Sequence, residues 1–138
     1  MTLFTVMDKR LATNYHGVKR KLSTFTMIGI GIDVVEIERF RAILRNKKER
    51  FIANTFTARE QEYCTSYKDS APHFAGTFAA KEAVLKTSEK MILPFRDIEI
   101  RHAKSGQPEV WIRGRRAKTV YISITHGSRD AYAVAFKK

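Results

Sequence analysis

The chain contains one cysteine, Cys64, among its 138 residues. A single cysteine excludes an internal disulfide framework and a cysteine-based zinc site. A reducing compartment is the simplest setting for such a chain, so we expect a cytoplasmic protein. No apolar run approaches the roughly 20 residues that a membrane-spanning helix needs, and we expect no membrane partner. Internal repeats and low-complexity tracts are also absent from the sequence.

Acidic residues are scarce relative to basic ones. Asp and Glu total 14 against 26 Lys and Arg, which gives a net charge of +12. Such a surface attracts nucleic acid, phosphate-rich small molecules, an acidic protein or an acidic membrane, and charge alone does not choose among them. The length and the 43% hydrophobic fraction are typical of one globular domain with its own core.

Residues 1–26 differ in composition from the rest of the chain. They carry five basic residues and many Thr and Ser, without a helical or strand period. We expect a poorly ordered N-terminal extension here; a targeting leader and an upstream start before Met27 are the alternatives. The folded domain is predicted to span residues 27–138.

Three helices are predicted after an N-terminal strand. The strand, MIGIGID, is apolar with glycines for close packing and is predicted to end at Asp33. Apolar residues then recur at helical spacing over residues 35–46, and residues 51–56 are predicted to connect. Thr57 and Glu60 form a capping box for a short helix, and Ser70-Ala71-Pro72 begins a longer one that ends near Lys86 or Thr87.

The last third of the chain alternates strand-like segments with turns. The predicted strands are residues 98–101, 109–113, 120–125 and 131–136, with turns at 105–108 and 127–130. One strand, three helices and an antiparallel β-meander make an α+β domain.

Asp33 is a carboxylate directly after an apolar strand, where sheet proteins often place reactive groups. Asp is also a favoured helix N-cap residue, and the sequence around Asp33 alone leaves both roles open.

Glu82 and Lys86 lie four positions apart on the third predicted helix and so share a face. They could form an ordinary surface ion pair, which contributes only a few tenths of a kcal/mol. However, this helix is largely apolar, and unpaired charge on a buried helix is costly. A metal ion on Glu82 and a phosphate on Lys86 would satisfy both charges.

His126 is predicted at the end of a strand, next to Gly127. An imidazole there can donate to a phosphate oxygen or relay a proton, although a turn histidine without a role is the simpler interpretation. His16, His73 and His102 lie in no comparable setting, and we assign them no function from sequence.

The first predicted helix and the residues after it are strongly basic. Arg39, Arg41, Arg45, Lys47, Lys48 and Arg50 are interleaved with Phe40 and Leu44. This surface could dock an acidic helix or follow a nucleic-acid backbone; a solvated face is the alternative.

Taken together, these segments resemble holo-acyl-carrier-protein synthases, short members of the 4′-phosphopantetheinyl transferase superfamily. The resemblance runs from about Met27 to Phe136 and follows the order of the family's segments. These are IGIGIDVVEIERF, RFIANTFTAREQEYC, FAGTFAAKEAVLKT, DIEIRHAKSGQPEV and YISITHGSRDAYAVAF. It implies the α+β fold of that superfamily.

The resemblance also implies an activity in lipid metabolism, in fatty acid or polyketide synthesis. Such an enzyme moves the phosphopantetheine arm of coenzyme A to a serine of an apo-acyl carrier protein and releases adenosine 3′,5′-bisphosphate. It implies Mg²⁺ on Asp33 and Glu82, which suits an ion that takes one or two carboxylates plus phosphate oxygens. Either Glu82 or a metal-held water would take the serine proton.

Other residue roles follow from the same resemblance. Lys86 and His126 would contact the coenzyme A phosphates, and Arg39, Phe40 and Arg45 would dock the carrier. The short members are homotrimers with active sites between neighbours, so His126 and Asp33 of one site would come from different chains. The expected partners are then the carrier, coenzyme A and further copies of this chain, without nucleic acid.

Thr77 stands where the family usually has an arginine near the nucleotide end of coenzyme A. Arg50, Arg59 or Lys81 would compensate, or coenzyme A affinity is weakened. The segment after Lys86 also lacks the family's glycine-containing loop. The alternatives to an active transferase are a coenzyme A-binding homologue with weakened activity and a basic nucleic-acid-binding module.

Overall fold

The structure of the protein is a computed structural model that describes residues 28–88 and 92–138. The N-terminal extension predicted over residues 1–26 lies outside the described residues. Within the described ranges, four α-helices follow the first strand and precede five further strands. None of those helices is both long enough and apolar enough to cross a membrane.

Two three-stranded antiparallel sheets hold the strands of the described chain. In the first sheet, the N-terminal strand pairs with the C-terminal strand, and the order is β1 (Gly29–Glu36), β6 (Asp130–Lys137), β5 (Val120–His126). In the second sheet the order is β2 (Ile98–His102), β3 (Pro108–Ile112), β4 (Arg115–Arg116). The predicted α+β class is confirmed, and the predicted late strands form a hairpin in each sheet.

The helices of the described chain are α1 (Ile37–Arg45), α2 (Glu49–Thr55), α3 (Ala58–Thr65) and α4 (Ala71–Lys86). The capping box before α3 is confirmed, since Thr57 Oγ1 accepts from the Glu60 amide while the Glu60 carboxylate accepts from the Thr57 amide. The start of α4 at Ala71, with Pro72 in its first turn, is also as predicted.

Helix α2 was not predicted, and it occupies the stretch assigned to a connection. Its N-cap residue, Lys48, makes no side-chain capping hydrogen bond, and the preceding Lys47 has a positive φ of 47°. The sequence therefore carries no start signal here. Instead, α2 is held by packing, because Phe51 contacts the rings of Phe40 and Phe78.

Strand β1 extends three residues beyond its predicted end. Asp33 pairs with Ala133, and the ladder continues to Glu36, which pairs with Asp130. Asp33 therefore lies inside the strand, and the N-cap of α1 is Glu36. The prediction of a strand-end carboxylate was wrong, as was the N-cap alternative, because the β-branched Val34 and Val35 favour continued pairing.

The glycines of β1 allow it to approach α4 closely. A Cβ atom added to Gly31 would lie 1.9 Å from the Ala83 carbonyl oxygen, and one added to Gly29 would lie 1.8 Å from that of Thr87. The middle strand β6 presents only small side chains to the same helix, namely Ala131, Ala133 and Ala135, each 2% exposed or less. The sheet and α4 are thus in near-backbone contact, which fixes where β1 residues lie relative to α4.

The other face of this sheet carries large apolar side chains that remain exposed. On β1 and the residue before it they are Ile28, Ile30, Ile32 and Val34, with exposed fractions of 56–67%. On β5 and β6 they include Tyr121 and Tyr132, at 42–44%. We call this surface the outer sheet face. The sequence predicted a buried strand, whereas among the described residues only the glycine-containing face of β1 is covered.

The aromatic core lies between the helices, around Phe40. Phe40 is 0% exposed, and its ring centroid lies 5.6–6.4 Å from those of Phe51, Phe56, Phe74 and Phe78. The prediction that Phe40 docks a partner is therefore wrong, because this side chain is enclosed by the chain's own helices.

Candidate active site

An ion pair joins β1 to the C-terminal turn of α4. Lys86 Nζ lies 2.7 Å from Asp33 Oδ1 and also donates to the Ile32 carbonyl oxygen at 3.1 Å. The Asp33 side chain is 17% exposed and that of Lys86 50% exposed. Lys86 therefore pairs with Asp33 rather than with Glu82, and its ammonium group still faces solvent.

Glu82 is partly buried on the same helix, one turn before Lys86. Its carboxylate makes no hydrogen bond or ion pair with another described residue. The residues on either side of it, Lys81 and Ala83, are both buried. Because a partly buried carboxylate is costly without a partner, Glu82 is a candidate ligand for a cation.

The donor set of Asp33 and Glu82 fits magnesium better than a softer metal. Across the described residues, no group of three or more His, Cys, Asp or Glu side chains could hold a metal ion. This argues against a site in which the protein supplies all the metal ligands. Mg²⁺ commonly uses one or two carboxylates and takes its other ligands from phosphate and water. Asp33 and Glu82, which has no partner among the described residues, match that requirement.

A pocket of about 220 Å³ lies at the other end of α4. His126, at the end of β5, lines it together with Tyr63, Pro72, His73, Gly76, Thr77, His102, Gly106, Pro108 and Ile124. The pocket is smaller than the roughly 300–1,000 Å³ of sites that enclose a whole small ligand. It therefore suits one end of a larger molecule.

Asp33, Glu82 and Lys86, which we call the carboxylate cluster, lie apart from the His126 pocket within one chain. Strand β6 lies between Asp33 on β1 and His126 on β5, and two strand spacings amount to about 10 Å. Along α4, Thr77 and Lys86 are nine residues apart, a rise of about 13 Å. These are two surfaces of the chain rather than one closed site.

Lys81, predicted to compensate for Thr77, lies in the core and not in the pocket. It is 0% exposed, and its Nζ lies 2.6 Å from Glu60 Oε2, with Glu60 1% exposed. It also donates to the carbonyl oxygens of Thr55 and Phe95. Burial lowers the pKa of Lys81 while Glu60 opposes the shift. With its charge satisfied internally, Lys81 is not available to a phosphate, and this prediction was wrong.

The other two predicted cations are exposed but lie outside the pocket lining. Arg59 is 65% exposed and lies 3.8 Å from Glu99, and Arg50 is exposed on α2. Thr77 does line the pocket, and it is 3% exposed with its hydroxyl 3.8 Å from the Cys64 sulfur. Burial raises the pKa of the Cys64 thiol to about 12, so no charge comes from that side.

Helix α1 presents a basic surface that is only partly neutralised. Arg45 pairs with Glu38 at 2.8 Å, and Arg41 pairs with Asp69 at the same distance. Arg39 is exposed, and its guanidinium lies over the Phe78 ring at 5.3 Å from the centroid. Of the three predicted docking residues, Arg39 and Arg45 are therefore on the surface.

Two pocket residues were given no role from sequence. His73 lies on α4 and His102 at the end of β2, yet both line the pocket with His126. The three histidines are separated by 29 and 24 positions in the chain, so no spacing rule connects them. Only the packing of α4 against both hairpins brings them together.

Comparison with known proteins places the chain among enzymes of one kind. The family model of the 4′-phosphopantetheinyl transferase superfamily matches residues 29–137. A holo-[acyl-carrier-protein] synthase of Thermodesulfovibrio yellowstonii is 41% identical over 109 residues, covering 78% of this chain and 94% of that protein. The synthase of Chlamydia caviae is 41% identical over 114 residues, covering 77% and 93%.

A solved structure shares the fold. The crystal structure of a holo-(acyl-carrier-protein) synthase from Bacillus anthracis in complex with CoA (3′,5′-ADP) aligns with a TM-score of 0.68 and 30% identity. The alignment covers 80% of this chain and 96% of that one. The family resemblance found in the sequence is thus confirmed.

Proposed function

Because the chain belongs to the 4′-phosphopantetheinyl transferase superfamily, we infer that it transfers the 4′-phosphopantetheine group of coenzyme A to a serine of an apo-acyl carrier protein. The observation that carries this inference is the ion pair of Asp33 with the half-exposed Lys86 at one end of α4, on the helix face that also carries Glu82 one turn earlier.

The reaction is a phosphoryl transfer. The serine oxygen forms a bond to the phosphorus that carries pantetheine, and the pyrophosphate bond to the nucleotide breaks. Adenosine 3′,5′-bisphosphate leaves, and the serine proton passes to a base. Positioning and charge stabilisation supply most of the catalysis in such reactions.

We propose that Asp33 and Glu82 hold Mg²⁺. When bound, this ion would neutralise charge on the phosphoryl oxygens. Side chains of the protein would supply the remaining charge stabilisation and the proton transfer. Lys86, fixed by Asp33 but half exposed, offers an ammonium to the same oxygens. Glu82 has a carboxylate oxygen without a described partner, and we propose it as the acceptor of the serine proton.

We further propose that a complete site forms between copies of the chain. The separation of the carboxylate cluster from His126 within one chain supports this, and so does the exposed outer sheet face. A homotrimer would allow His126 of one subunit to approach the coenzyme A phosphates near Asp33 of its neighbour.

Helix α1 is the docking surface we propose for the carrier. Acyl carrier proteins are acidic, and a basic helix steers an acidic partner. Arg39 is the leading contact because it is exposed and, within the described chain, has no carboxylate partner. Arg45 could bind the carrier only after its ion pair with Glu38 is broken. The compartment we propose is the cytoplasm, in keeping with the single free, buried Cys64.

The test is a mass-shift assay. Incubation of the protein with coenzyme A, Mg²⁺ and an apo-acyl carrier protein should add the mass of phosphopantetheine to the carrier, and a chelator should prevent this. Glu82→Gln should reduce transfer by at least about a hundredfold, the usual contribution of a positioned acid–base group. Glu62→Gln, on an exposed part of α3, is the matched control and should retain activity.

Two outcomes would contradict the proposal. No mass shift on a competent carrier would remove the transferase function. Full activity of Glu82→Gln would remove Glu82 from the mechanism and leave the function intact.

A further inference from the structure

Three of the chain's four histidines meet in the pocket beside Thr77. His73 comes from α4, His102 from β2 and His126 from β5. The fourth, His16, lies outside the described residues. No other residue that lines this pocket can become positively charged, because the remaining lining residues are tyrosine, threonine, proline, glycine and isoleucine.

The imidazole rings are held by stacking rather than by hydrogen bonds. Tyr67 stacks on His73 with ring centroids 3.5 Å apart, and Tyr63 stacks on His102 at 4.0 Å. His126 meets His73 edge-on at 5.5 Å. None of the three rings hydrogen-bonds to another described residue, so their nitrogen atoms are free for a ligand.

The arrangement does not favour a metal. No group of three or more potential ligands among the described residues is placed to hold one. The nearby carboxylate, Asp69, is already bound by Arg41 at 2.8 Å and by the Ala71 amide at 3.3 Å. Nitrogen donors without carboxylates suit an anion that accepts hydrogen bonds from imidazolium.

We propose that His73 and His102 act with His126 as a proton-linked subsite for the phosphomonoester of coenzyme A, the 3′-phosphate at its nucleotide end. This rests on the proposed function and assigns roles to His73 and His102 that Thr77 cannot perform. The pocket volume of about 220 Å³ fits one end of the molecule, with the pantetheine arm outside it.

The charges around the rings explain why binding would take up protons. Burial lowers the pKa of His73, as does the positive charge of His126, while Asp69 acts in the opposite direction. Burial and His73 together lower the pKa of His102. Two neighbouring groups add no charge at pH 7, because the pKa of Tyr63 is raised and that of the Cys64 thiol is about 12.

A phosphate dianion would reverse these effects. An adjacent negative charge favours the protonated imidazole and offsets the repulsion between rings. Because the pKa values of His73 and His102 are lowered, these two rings are mostly neutral near pH 7 in the free pocket, and a bound phosphate would favour their protonated forms. Affinity for the phosphate should accordingly rise as the pH falls towards 6.

The decisive experiment compares two ligands that differ by this phosphate. Dissociation constants of coenzyme A and 3′-dephospho-coenzyme A are measured by calorimetry on the full chain at pH 6, 7 and 8. The wild type should prefer coenzyme A, with a preference that grows by about tenfold, equivalent to about 1.4 kcal/mol, from pH 8 to pH 6. In His73→Gln/His102→Gln this preference should fall and lose its pH dependence.

Lys118→Gln, which removes an exposed charge outside the pocket, is the control and should behave as wild type. A second measurement avoids variants altogether. In wild-type protein followed by NMR, adenosine 3′,5′-bisphosphate should raise the pKa values of the His73 and His102 imidazoles.

A preference that does not vary with pH, or that survives in the double variant, would overturn the subsite, as would unchanged imidazole pKa values. These binding results do not depend on turnover. Failure of the transfer reaction would therefore count against the proposed function, and failure here would count against the roles of His73 and His102 alone.

Discussion

Neighbouring charged residues on α4 have opposite environments. Lys81 is 0% exposed and enclosed by Glu60 and two carbonyl oxygens, whereas Glu82 has no partner in the described chain. Glu60 in turn accepts from the Ile100 and Thr57 amides. This buried pair connects α3, α4 and β2, so Lys81 orients the helix that carries Glu82 without contacting substrate itself.

Removing one member of this pair should be strongly destabilising. Lys81→Met would leave the Glu60 carboxylate buried without its cation, and we expect the free energy of unfolding to fall by about 3–5 kcal/mol. Urea denaturation of Lys81→Met, Glu60→Gln and the double variant gives the coupling. The double variant should lose much less than the sum of the single variants.

Arg45→Met breaks the exposed pair with Glu38 and serves as the control, with an expected loss below about 1 kcal/mol. Additive losses in the double variant would contradict a direct interaction between Lys81 and Glu60.

At the scale of elements, the contact between β1 and α4 sets the geometry of the carboxylate cluster. Gly29 and Gly31 bring the strand against the helix backbone, and Asp33 is the next residue on the same face. Its side chain then reaches Lys86, 53 positions later in the chain. The two glycines therefore contribute to the site, since they determine the distance between β1 and α4, which carry its side chains.

Gly31→Ala should separate β1 from α4. The added methyl group would lie 1.9 Å from the Ala83 carbonyl oxygen and 2.9 Å from the Lys86 Cβ atom, so backbone has to move. We expect a loss of about 1–3 kcal/mol in the free energy of unfolding and a larger proportional loss of transfer activity than of coenzyme A binding at the His126 pocket.

Gly127→Ala is the matched control, because no atom lies within 4 Å of a Cβ added there. It should change stability by less than about 0.5 kcal/mol. Equal effects of the two substitutions would show that close packing at Gly31 is unimportant.

For the whole molecule, the outer sheet face is the feature that a single chain leaves unexplained. Ile30, Ile32 and Val34 are alternate residues of β1, lie on the same face of the strand and are more than half exposed. Contiguous apolar surface of this kind marks an interaction site. The proposed trimer would cover it and would bring the two separated halves of the site together. Stability, assembly and activity would then depend on the same surface.

Ile32→Lys should weaken that assembly. Its side chain is 67% exposed in the single chain, so the fold should tolerate a lysine, but burying a charge in an interface is costly. Sedimentation at several protein concentrations should show smaller species than wild type, together with loss of transfer that returns partly at high concentration.

Thr65→Lys, on the exposed surface of α3, adds the same charge elsewhere and should sediment as wild type. A wild-type protein that is monomeric at all concentrations would refute the trimer, and so would an Ile32→Lys variant that is monomeric yet fully active.

Local patterns in the sequence were sufficient for much of the fold. The capping box of Thr57 and Glu60, the start of α4 and the two late hairpins depend on residues close together in the chain, and they were predicted. The family resemblance also singled out Asp33, Glu82, Lys86 and His126 as candidate site residues, and their roles stay predictions. Helix α2 was missed because its stability comes from the ring contacts of Phe51 rather than from a local start signal.

The sequence by itself determined the α+β class and indicated which residues are candidates for the chemistry. Only the tertiary structure decided which charges are available to a ligand. Helix α4 is apolar nearly all round, and adjacent residues on a helix point about 100° apart. The pattern therefore could not distinguish the buried Lys81 from Glu82, which has no partner among the described residues. In the same way, the pairing of Asp33 with Lys86 and the meeting of three histidines depend on contacts between distant segments, which no local spacing encodes.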